Sequence, residues 1–339
     1  MTARGKRYLQ IGVGFGLSGL FLYLALEGED WSGLSRELAV TRTVWLLPMV
    51  AVGLYSVVVR AQRWSLLLEY AGARRPEFEP IFSATAIGFM ANMLLPLRIG
   101  EIVRPYLLSR RTEIPFSTAL ATVLLERVLD LFVLFLFASW VVVNSDVPPI
   151  VRSLTTVAGL VVLVAATVLT ILHRARDRLV PVLDRLWSRL PGRLGERIAA
   201  IEHDFLDGVA LISSPTALIR SLVWSLWLWI GIALCFSFGL EASGLTVPFL
   251  PGGVTLVTIV AMAVSVPSAP AFVGQFQWGC KLALEHVYAI DSTRALSYSI
   301  VTHLTQAATQ IGLGLVYLLR EGLSFSDLRG LETRASDGE

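Results

Sequence analysis

The chain has 339 residues, of which 55% are hydrophobic and 16% charged, and its formal net charge is +2. This excess of apolar residues is greater than in soluble globular domains and is typical of a polytopic membrane protein. The small net charge and the lack of a basic tail in the sequence argue against a nucleic-acid-binding protein. Both cysteines, Cys235 and Cys280, lie in apolar segments, so the sequence predicts neither a disulfide framework nor a zinc site.

Six apolar segments have the length of about 20 residues that a helix needs to cross the hydrocarbon core. Two further apolar regions are long enough to enter the core and return, but proline and glycine interrupt each of them. We therefore expect an all-α polytopic membrane protein with about six full transmembrane helices and two broken, re-entrant helical hairpins. The six spans are roughly 8–26, 44–68, 116–141, 150–173, 216–241 and 293–319, and the broken regions are 80–110 and 252–290.

The distribution of basic residues predicts the orientation. Basic residues at 4–7 precede the first span, and acidic residues at 27–30 follow it without a cleavage site, so we expect a retained span rather than a signal peptide. Because basic loops stay in the cytoplasm, both termini are predicted to be cytoplasmic. Residues 174–212 carry seven arginines and apolar residues at helical spacing. They predict a cytoplasmic amphipathic linker on the inner leaflet, or a simple connector between the two halves.

The two halves of the single membrane domain, 1–339, resemble each other. Residues 44–141 and 216–319 each contain a span, a broken hairpin and a second span, and the charge rule gives them opposite orientations. Inverted repeats with discontinuous helices are typical of alternating-access transporters, whose site lies at the repeat interface. The matching positions are Met90-Ala91 with Met262-Ala263, Pro96 with Pro267, and Gly100-Glu101 with Gly274-Gln275.

The third span contains three charged residues, Glu126, Arg127 and Asp130. A charge at the centre of a span costs about 2.5–3.5 kcal/mol on insertion scales, so this face must point into the protein. Glu126 and Asp130 are four residues apart and therefore share a helix face. Two interpretations stay open, namely contact with substrate and an ion network that holds two elements together. Proton coupling through Glu126 or Asp130 follows as a hypothesis.

The first broken region combines helix breakers with charge. Pro96 and Gly100 would end a helix and allow close backbone approach. A half-helix that begins near Arg98 would direct free N–H groups and its positive dipole end at an anion. The alternative is an ion-pair staple between Glu101 and Arg98 or Arg104. The candidate binding residues here are Asn92, Arg98, Glu101 and Arg104.

The second broken region keeps the breaks without the charges. Pro267, Pro270 and Gly274 interrupt it, and we expect its half-helix to begin near Ala271. Neutral polar groups, Gln275 among them, stand where the first region has charges. In the last span His303, Gln306 and Gln310 line one side, and His303 is either a satisfied polar residue or a proton relay.

The predicted site holds three arginines against three carboxylates and is formally neutral, which suits a zwitterion, or an anion if a carboxylate is protonated. We expect no catalytic residue, no cofactor and no metal, because the sequence lacks metal-ligand motifs, a Cys/His dyad and a glycine-rich phosphate loop. The predicted substrate-binding residues are Asn92, Arg98, Glu101, Arg104, Glu126, Arg127, Asp130, Gln275, His303 and Gln306. The predicted helix-breaking residues are Pro96, Gly100, Pro267, Pro270 and Gly274.

An ordered set of motifs resembles a known family. The motifs are Arg60-Ala61-Gln62-Arg63-Trp64, Asn92-x-x-Leu95-Pro96-x-Arg98-x-Gly100-Glu101-x-x-Arg104, Glu126-Arg127-x-x-Asp130 and Pro267-x-x-Pro270-x-x-x-Gly274. Together, over about residues 8–320, they resemble the integral-membrane family found as the flippase part of bacterial lysylphosphatidylglycerol synthase and as stand-alone proteins. Some stand-alone members are linked to hopanoid or glycolipid pathways. One departure is Ala271, where a glycine is expected after the proline.

The resemblance implies movement of a lipid between leaflets, and in the fused proteins the substrate is an aminoacylated phospholipid. The sequence ends shortly after the last span, so we expect no soluble aminoacyl-transferase domain. The leading hypothesis is a flippase for an amphiphile with a phosphate-bearing or otherwise charged head group. The alternatives are a small-solute or ion transporter and a membrane-embedded lipid-modifying enzyme. The expected partners are membrane lipids, a lipid or lipid-linked substrate and lipid-biosynthesis enzymes.

Overall fold

The computed structural model describes residues 3–72, 77–95, 98–187, 189, 193–208, 214–265 and 270–324. These residues form α-helices joined by short turns, with no strand among them, which confirms the predicted all-α polytopic class. The helices are α1 Ala3–Leu26, α2 Trp31–Ala39, α3 Leu46–Tyr70, α4 Phe78–Leu94, α5 Gly100–Arg111, α6 Phe116–Asn144, α7 Pro149–Trp187, α8 Arg193–Gly208, α9 Pro215–Ala242, α10 Phe249–Val264, α11 Gln275–Tyr288 and α12 Ser292–Arg320.

Six long helices, α1, α3, α6, α7, α9 and α12, lie at the positions of the six predicted spans. By length and composition alone, three helical stretches of the described chain could each cross a membrane, at Thr43–Tyr70, Pro149–Ile171 and Pro215–Ala242. The helix of the fourth predicted span continues beyond residue 173, because α7 runs as one helix to Trp187 and carries the first part of the linker. The proline-glycine break predicted within the linker lies outside the described residues.

The first broken region is a pair of packed helices, α4 and α5, with a non-helical connection after Leu94. The two helices approach so closely at Gly100 that a Cβ atom there would lie 1.9 Å from the carbonyl oxygen of Gly88. Only glycine fits such a contact. α5 begins at Gly100 rather than near Arg98, because Arg98 has a φ of 53° and cannot belong to a right-handed helix. Pro96 lies outside the described residues.

The second broken region has the same form, with α10 ending at Val264 and α11 beginning at Gln275. The predicted start near Ala271 is wrong, because Ala271 and Phe272 both have a φ of 57°. Ala271 thus adopts the left-handed backbone that favours glycine, at the position where the resembled family leads us to expect one. Pro270 opens a short 3-10 turn, and Pro267 lies outside the described residues.

The two halves interlock rather than lie side by side. α12, which follows the second hairpin, packs against α4 of the first, and α6, which follows the first hairpin, packs against α10 of the second. α3 and α9 pack against each other. One apolar cluster surrounds α4 and α5, and another surrounds α10 and α11. This crossing arrangement brings the ends of both hairpins to the middle of the molecule.

Candidate functional site

A cavity of about 490 Å³ lies where the two hairpins meet. Residues from α3, α4, α5, α6, α9, α10, α11 and α12 line it, together with the two non-helical connections. Its volume is within the range of about 300–1,000 Å³ found for small-molecule sites. The site is thus built from both halves of the chain.

Asp130 of α6 lies in the wall of this cavity and is held by Arg63 of α3. The guanidinium donates two hydrogen bonds to the carboxylate, at 2.5 Å to Oδ1 and 3.3 Å to Oδ2. Trp229 Nε1 of α9 donates a third, at 3.1 Å to Oδ1. Three helices therefore fix the orientation of this carboxylate, because the bidentate pair and the indole leave it little freedom.

Glu126 lies on the same face of α6 as Asp130, as the spacing predicts, but behind the cavity wall. It accepts a hydrogen bond from Arg104 Nη1 at 2.9 Å, and Arg63 Nε lies 3.4 Å from its other oxygen. Glu126, Arg63 and Arg104 are almost completely buried. For this carboxylate the geometry matches the predicted alternative of an ion network that joins α3, α5 and α6.

Arg104 belongs to that network and does not line the cavity. Its guanidinium lies over the Trp64 ring, 4.4 Å from the centroid, and its side chain passes next to Gly88 of α4. The stem and head of this arginine are thus enclosed by α3, α4 and α6. Its predicted contact with substrate is not what this structure shows, because Arg104 and Glu126 neutralise each other inside the protein.

Arg127 and Glu101 are the charged pair that faces the cavity. Arg127 Nη1 lies 3.6 Å from Glu101 Oε1, and its Nη2 lies 3.1 Å from Asp130 Oδ2. Their side chains are 35% and 23% exposed, whereas Glu126 is 1% exposed. Among the described residues Glu101 forms no ion pair with Arg98 or Arg104, so the predicted staple within the first hairpin is replaced by a contact from α5 to α6.

Arg98 projects from the first break towards the second hairpin. Its Nη2 donates a 2.5 Å hydrogen bond to the carbonyl oxygen of Val264, the last residue of α10. Its guanidinium also lies over the Phe272 ring at 5.2 Å from the centroid. The last carbonyls of a helix lack partners within that helix, so Arg98 caps the C-terminus of α10. Asn92, at the end of α4, lines the same region, and its Oδ1 has no hydrogen-bond partner among the described residues.

On the opposite wall α12 contributes His303, Gln306 and Gln310. His303 Nδ1 lies 2.9 Å from Gln277 Nε2, and its ring stacks on Phe276 with centroids 4.4 Å apart. Nε2 of His303 has no hydrogen-bond partner among the described residues, so the satisfied polar residue and the proton relay both stay predictions. Gln306 Nε2 and Gln310 Oε1 have no hydrogen-bond partner in the described part of the chain.

Gln275 does not line the cavity, although it was a predicted binding residue. It is fully buried, and its Oε1 accepts a 3.0 Å hydrogen bond from Ser18 Oγ of α1. A Cβ atom at Gly274, whose φ is 89°, would lie 2.4 Å from the Ser18 carbonyl oxygen. This close docking of α1 on the second break explains both the orientation of Gln275 and the need for glycine at position 274.

A second contact anchors the loop after α1 to the second half of the protein. Lys281 Nζ donates to Glu29 Oε1 at 2.5 Å and to the Ala25 carbonyl at 2.9 Å, and Ser292 and Thr293 also donate to Glu29. Burial alone would raise the pKa of Glu29, but the hydrogen bonds from Lys281 and the two hydroxyls outweigh it and lower the pKa below its ordinary value.

Two arginines of α3, which the sequence motifs connect only with the family resemblance, also belong to the site. Arg63 holds Asp130, and Arg60 lines the cavity with its guanidinium 4.6 Å from the centroid of Phe89. Among the described residues, the charged groups in and around the cavity are therefore five arginines and three carboxylates, with a formal charge of +2 rather than zero. Two arginines inside an apolar span are themselves a signal of function.

A smaller chamber of about 120 Å³ adjoins the main cavity and shares Arg60, Phe89, Ile232, Gln306 and Gln310 with it. Its other walls are mostly apolar and come from α3, α9 and α12. A Cβ atom at Gly231 of α9 would meet nothing within 4 Å, which fits the empty space there. Among the described residues no group of three or more His, Cys, Asp or Glu side chains is arranged to hold a metal ion.

Comparison with known proteins assigns the chain to a family. The family described as "Lysylphosphatidylglycerol synthase TM region" matches residues 11–314. The chain is 33% identical over 99 residues to a UPF0104 membrane protein of Methanocaldococcus jannaschii, and it spans 29% of that protein's length with 29% of its own. No solved structure matches the chain. Because the family match covers most of the sequence, as the resemblance predicts, the chain belongs to the membrane-protein family of the lysylphosphatidylglycerol synthase transmembrane region.

Proposed function

We propose that the protein is a lipid transporter, a flippase that moves an amphiphile with a phosphate-bearing or otherwise charged head group between leaflets. The observation that supports this most directly is the division of the cavity into a charged wall and an apolar wall. α3 and α6 supply Arg60, Arg127 and Asp130, α5 supplies Glu101, and Arg98 comes from the connection before α5. α9, α10 and α11 supply a largely apolar wall, formed by Ile232, Phe236, Val257, Val260, Ala261, Val264 and Phe276.

An amphiphile suits such a division because its head group and its tail need opposite environments. Arginines bind phosphate through paired N–H donors, and the carboxylates Glu101 and Asp130 could accept from an amine on a zwitterionic head group. The apolar wall and the small chamber beside Arg60 would accommodate the part of the tail next to the head group. A water-soluble solute would gain little from the apolar surface.

The same proposal includes an inverted repeat, 44–141 and 216–319, with the linker 174–212 between its halves. Each half contains a long helix, a broken pair and a second long helix, and the packing of α4 on α12 mirrors that of α10 on α6. Two related halves around one site are typical of alternating-access transporters. In this proposal the first hairpin enters from the cytoplasmic side and the second from outside, with both termini cytoplasmic in a bacterial inner membrane.

The partners in this proposal are membrane lipids and the lipid or lipid-linked substrate, together with lipid-biosynthesis enzymes that supply it. No interaction with nucleic acid is proposed. The two α3 arginines, which add to the positive charge of the cavity, support a substrate that contains at least one phosphate.

The test is reconstitution of the purified protein into liposomes that contain a fluorescent phospholipid, followed by chemical quenching of the outer leaflet. We expect fluorescence beyond the outer-leaflet fraction to be quenched in protein-containing liposomes and not in empty ones. Uptake of a radiolabelled soluble anion without lipid movement would favour the small-solute transporter instead. A chemically altered lipid, detected by mass spectrometry of the same liposomes, would favour an enzyme.

A further inference from the structure

Two of the cavity arginines differ from the others in their partners. Arg63, Arg104 and Arg127 each lie within salt-bridge distance of at least one carboxylate. In the described part of the chain, Arg60 and Arg98 have no carboxylate at that distance, and both line the cavity. Their contacts are aromatic rings and, for Arg98, one backbone carbonyl.

These two cations account for the excess positive charge of the site. An arginine side chain keeps its proton at any pH that a protein tolerates, so it cannot become neutral to avoid the free-energy cost of removing its charge from water. A charge removed from water is stabilised by an opposite charge and by hydrogen bonds to its donors. Arg60 lies in the second half of α3, an apolar helix, where such compensation is needed most.

The aromatic contacts position both guanidinium groups without using their donors. Arg60 lies over Phe89 and Arg98 over Phe272, each with its charge near the face of a ring. A cation–π contact leaves the N–H donors at the edge of the guanidinium plane available. Arg98 uses one nitrogen for the Val264 carbonyl, and its remaining donors are available to a ligand. The amide nitrogen of Gln306, which also lacks a partner in the described chain, adds a neutral donor to the same cavity.

We infer that the cavity selects a lipid whose head group carries two negative charges, such as a terminal phosphate monoester or a diphosphate, with Arg60 and Arg98 as its two charge partners. This inference rests on the proposed lipid transport and narrows its substrate class. A diester phosphate would neutralise only one of the two arginines.

The test measures binding separately from transport, by the thermal stability of the detergent-purified protein with short-chain lipids. The series is dioctanoyl phosphatidic acid, phosphatidylglycerol, phosphatidylethanolamine and lysylphosphatidylglycerol. We expect phosphatidic acid to bind at least about tenfold more tightly than phosphatidylglycerol, a difference of about 1.4 kcal/mol. Equal binding of these two lipids, or tighter binding of the zwitterionic or cationic lipid, would overturn the inference.

Substitutions test whether Arg60 and Arg98 cause the preference for phosphatidic acid over phosphatidylglycerol. Arg60→Gln and Arg98→Gln should each reduce the ratio of phosphatidic acid to phosphatidylglycerol affinity towards one, and Arg60→Lys should restore part of it because it keeps the charge. Arg152→Gln is the control, since Arg152 is exposed and pairs with Asp146. A preference that survives both glutamine variants would place the selectivity elsewhere and overturn the assignment. If a variant fails to fold, the wild-type lipid series still decides the question.

Two further measurements, transport of each lipid and protection by inorganic pyrophosphate, distinguish this inference from the proposed function and from binding of a soluble ligand. Transport of phosphatidylethanolamine as fast as phosphatidic acid would leave lipid transport standing and overturn the charge selectivity. Tight binding of phosphatidic acid without transport of any lipid would leave the binding site standing and overturn the flippase. Protection by inorganic pyrophosphate equal to that by phosphatidic acid would assign the site to a soluble anion and overturn the lipid assignment.

Discussion

Arg98, in the break between α4 and α5, donates a hydrogen bond of 2.5 Å to the carbonyl oxygen of Val264, the last residue before the break between α10 and α11. This contact joins the two breaks directly across the cavity. An arginine that caps a helix C-terminus interacts favourably with the dipole of that helix. In the proposed transport cycle, the contact would form when the two hairpins close and would open to admit a head group that competes for the same guanidinium.

Replacement of Arg98 by alanine should therefore abolish lipid movement while expression stays normal. We expect the rate to fall by at least about tenfold, since a charged hydrogen bond contributes about 1.5–3 kcal/mol. The measurement is the quenching assay in liposomes with matched protein content. Arg152→Ala, which changes an exposed arginine outside the cavity, should keep the wild-type rate. Unaltered movement by Arg98→Ala would contradict the role of Arg98 in head-group binding.

The pair formed by Arg104 and Glu126 should affect stability more than selectivity. Removal of one partner leaves the other charge buried, which typically costs about 3–5 kcal/mol. We expect Arg104→Met and Glu126→Leu each to lower the thermal unfolding temperature strongly, and the double variant to recover part of the loss. Differential scanning fluorimetry of the detergent-purified variants would show this. A double variant less stable than both single variants would argue against a mutually neutralising pair.

The substitution Gly231→Leu should fill the small chamber without disturbing the fold. A Cβ atom there meets nothing within 4 Å, so the larger side chain has room to enter the chamber. We expect lipid binding to weaken by about tenfold, roughly 1.4 kcal/mol, with little change in unfolding temperature. Gly312→Leu is the matched control, because Gly312 is exposed on α12 and also has open space around its Cβ position. Equal effects of the two substitutions would show that the chamber holds no part of the lipid.

Acid should weaken the attachment of α1 to the second half of the protein. The lowered pKa of Glu29 means that its ion pair with Lys281 contributes stability above the ordinary pKa of about 4.5, and that this contribution is lost as the pH falls through the lower folded value. We expect the unfolding temperature of Glu29→Gln to depend less on pH than that of the wild type below about pH 4.5. Glu285→Gln is the control, because Glu285 lies 3.6 Å from Lys281 and is more exposed than Glu29. Identical pH profiles for Glu29→Gln and the wild type would contradict the contribution of this pair.

The parts of the fold that depend on local patterns were predictable. Apolar length located all six long helices, and proline and glycine marked both breaks. The four-residue spacing of Glu126 and Asp130 placed both carboxylates on the inward face of α6. Proton coupling through either carboxylate stays a prediction, and only Asp130 of the two lines the cavity.

The parts that depend on how helices cross were not predictable from one sequence. Arg63 reaches Asp130 because α3 packs against α6, and no spacing along the chain shows that contact. Gln275 is turned away from the cavity by the docking of α1, which the repeat pattern does not include. The helices α5 and α11 begin later in the chain than predicted because Arg98 and Ala271 adopt the left-handed backbone conformation. Residues with a side chain rarely adopt that conformation.

In the proposed function lipid passes through the cavity between the two hairpins, and substitutions at two neighbouring alanines of α12 test this path. Ala307 lines the cavity, whereas Ala308, about 100° further round the helix, is exposed and does not line it. Ala307→Trp and Ala308→Trp therefore add the same bulk inside and outside the proposed path. With lipid movement measured in liposomes, we predict that Ala307→Trp loses movement and that Ala308→Trp keeps the wild-type rate. Wild-type movement by a folded Ala307→Trp variant would contradict the account.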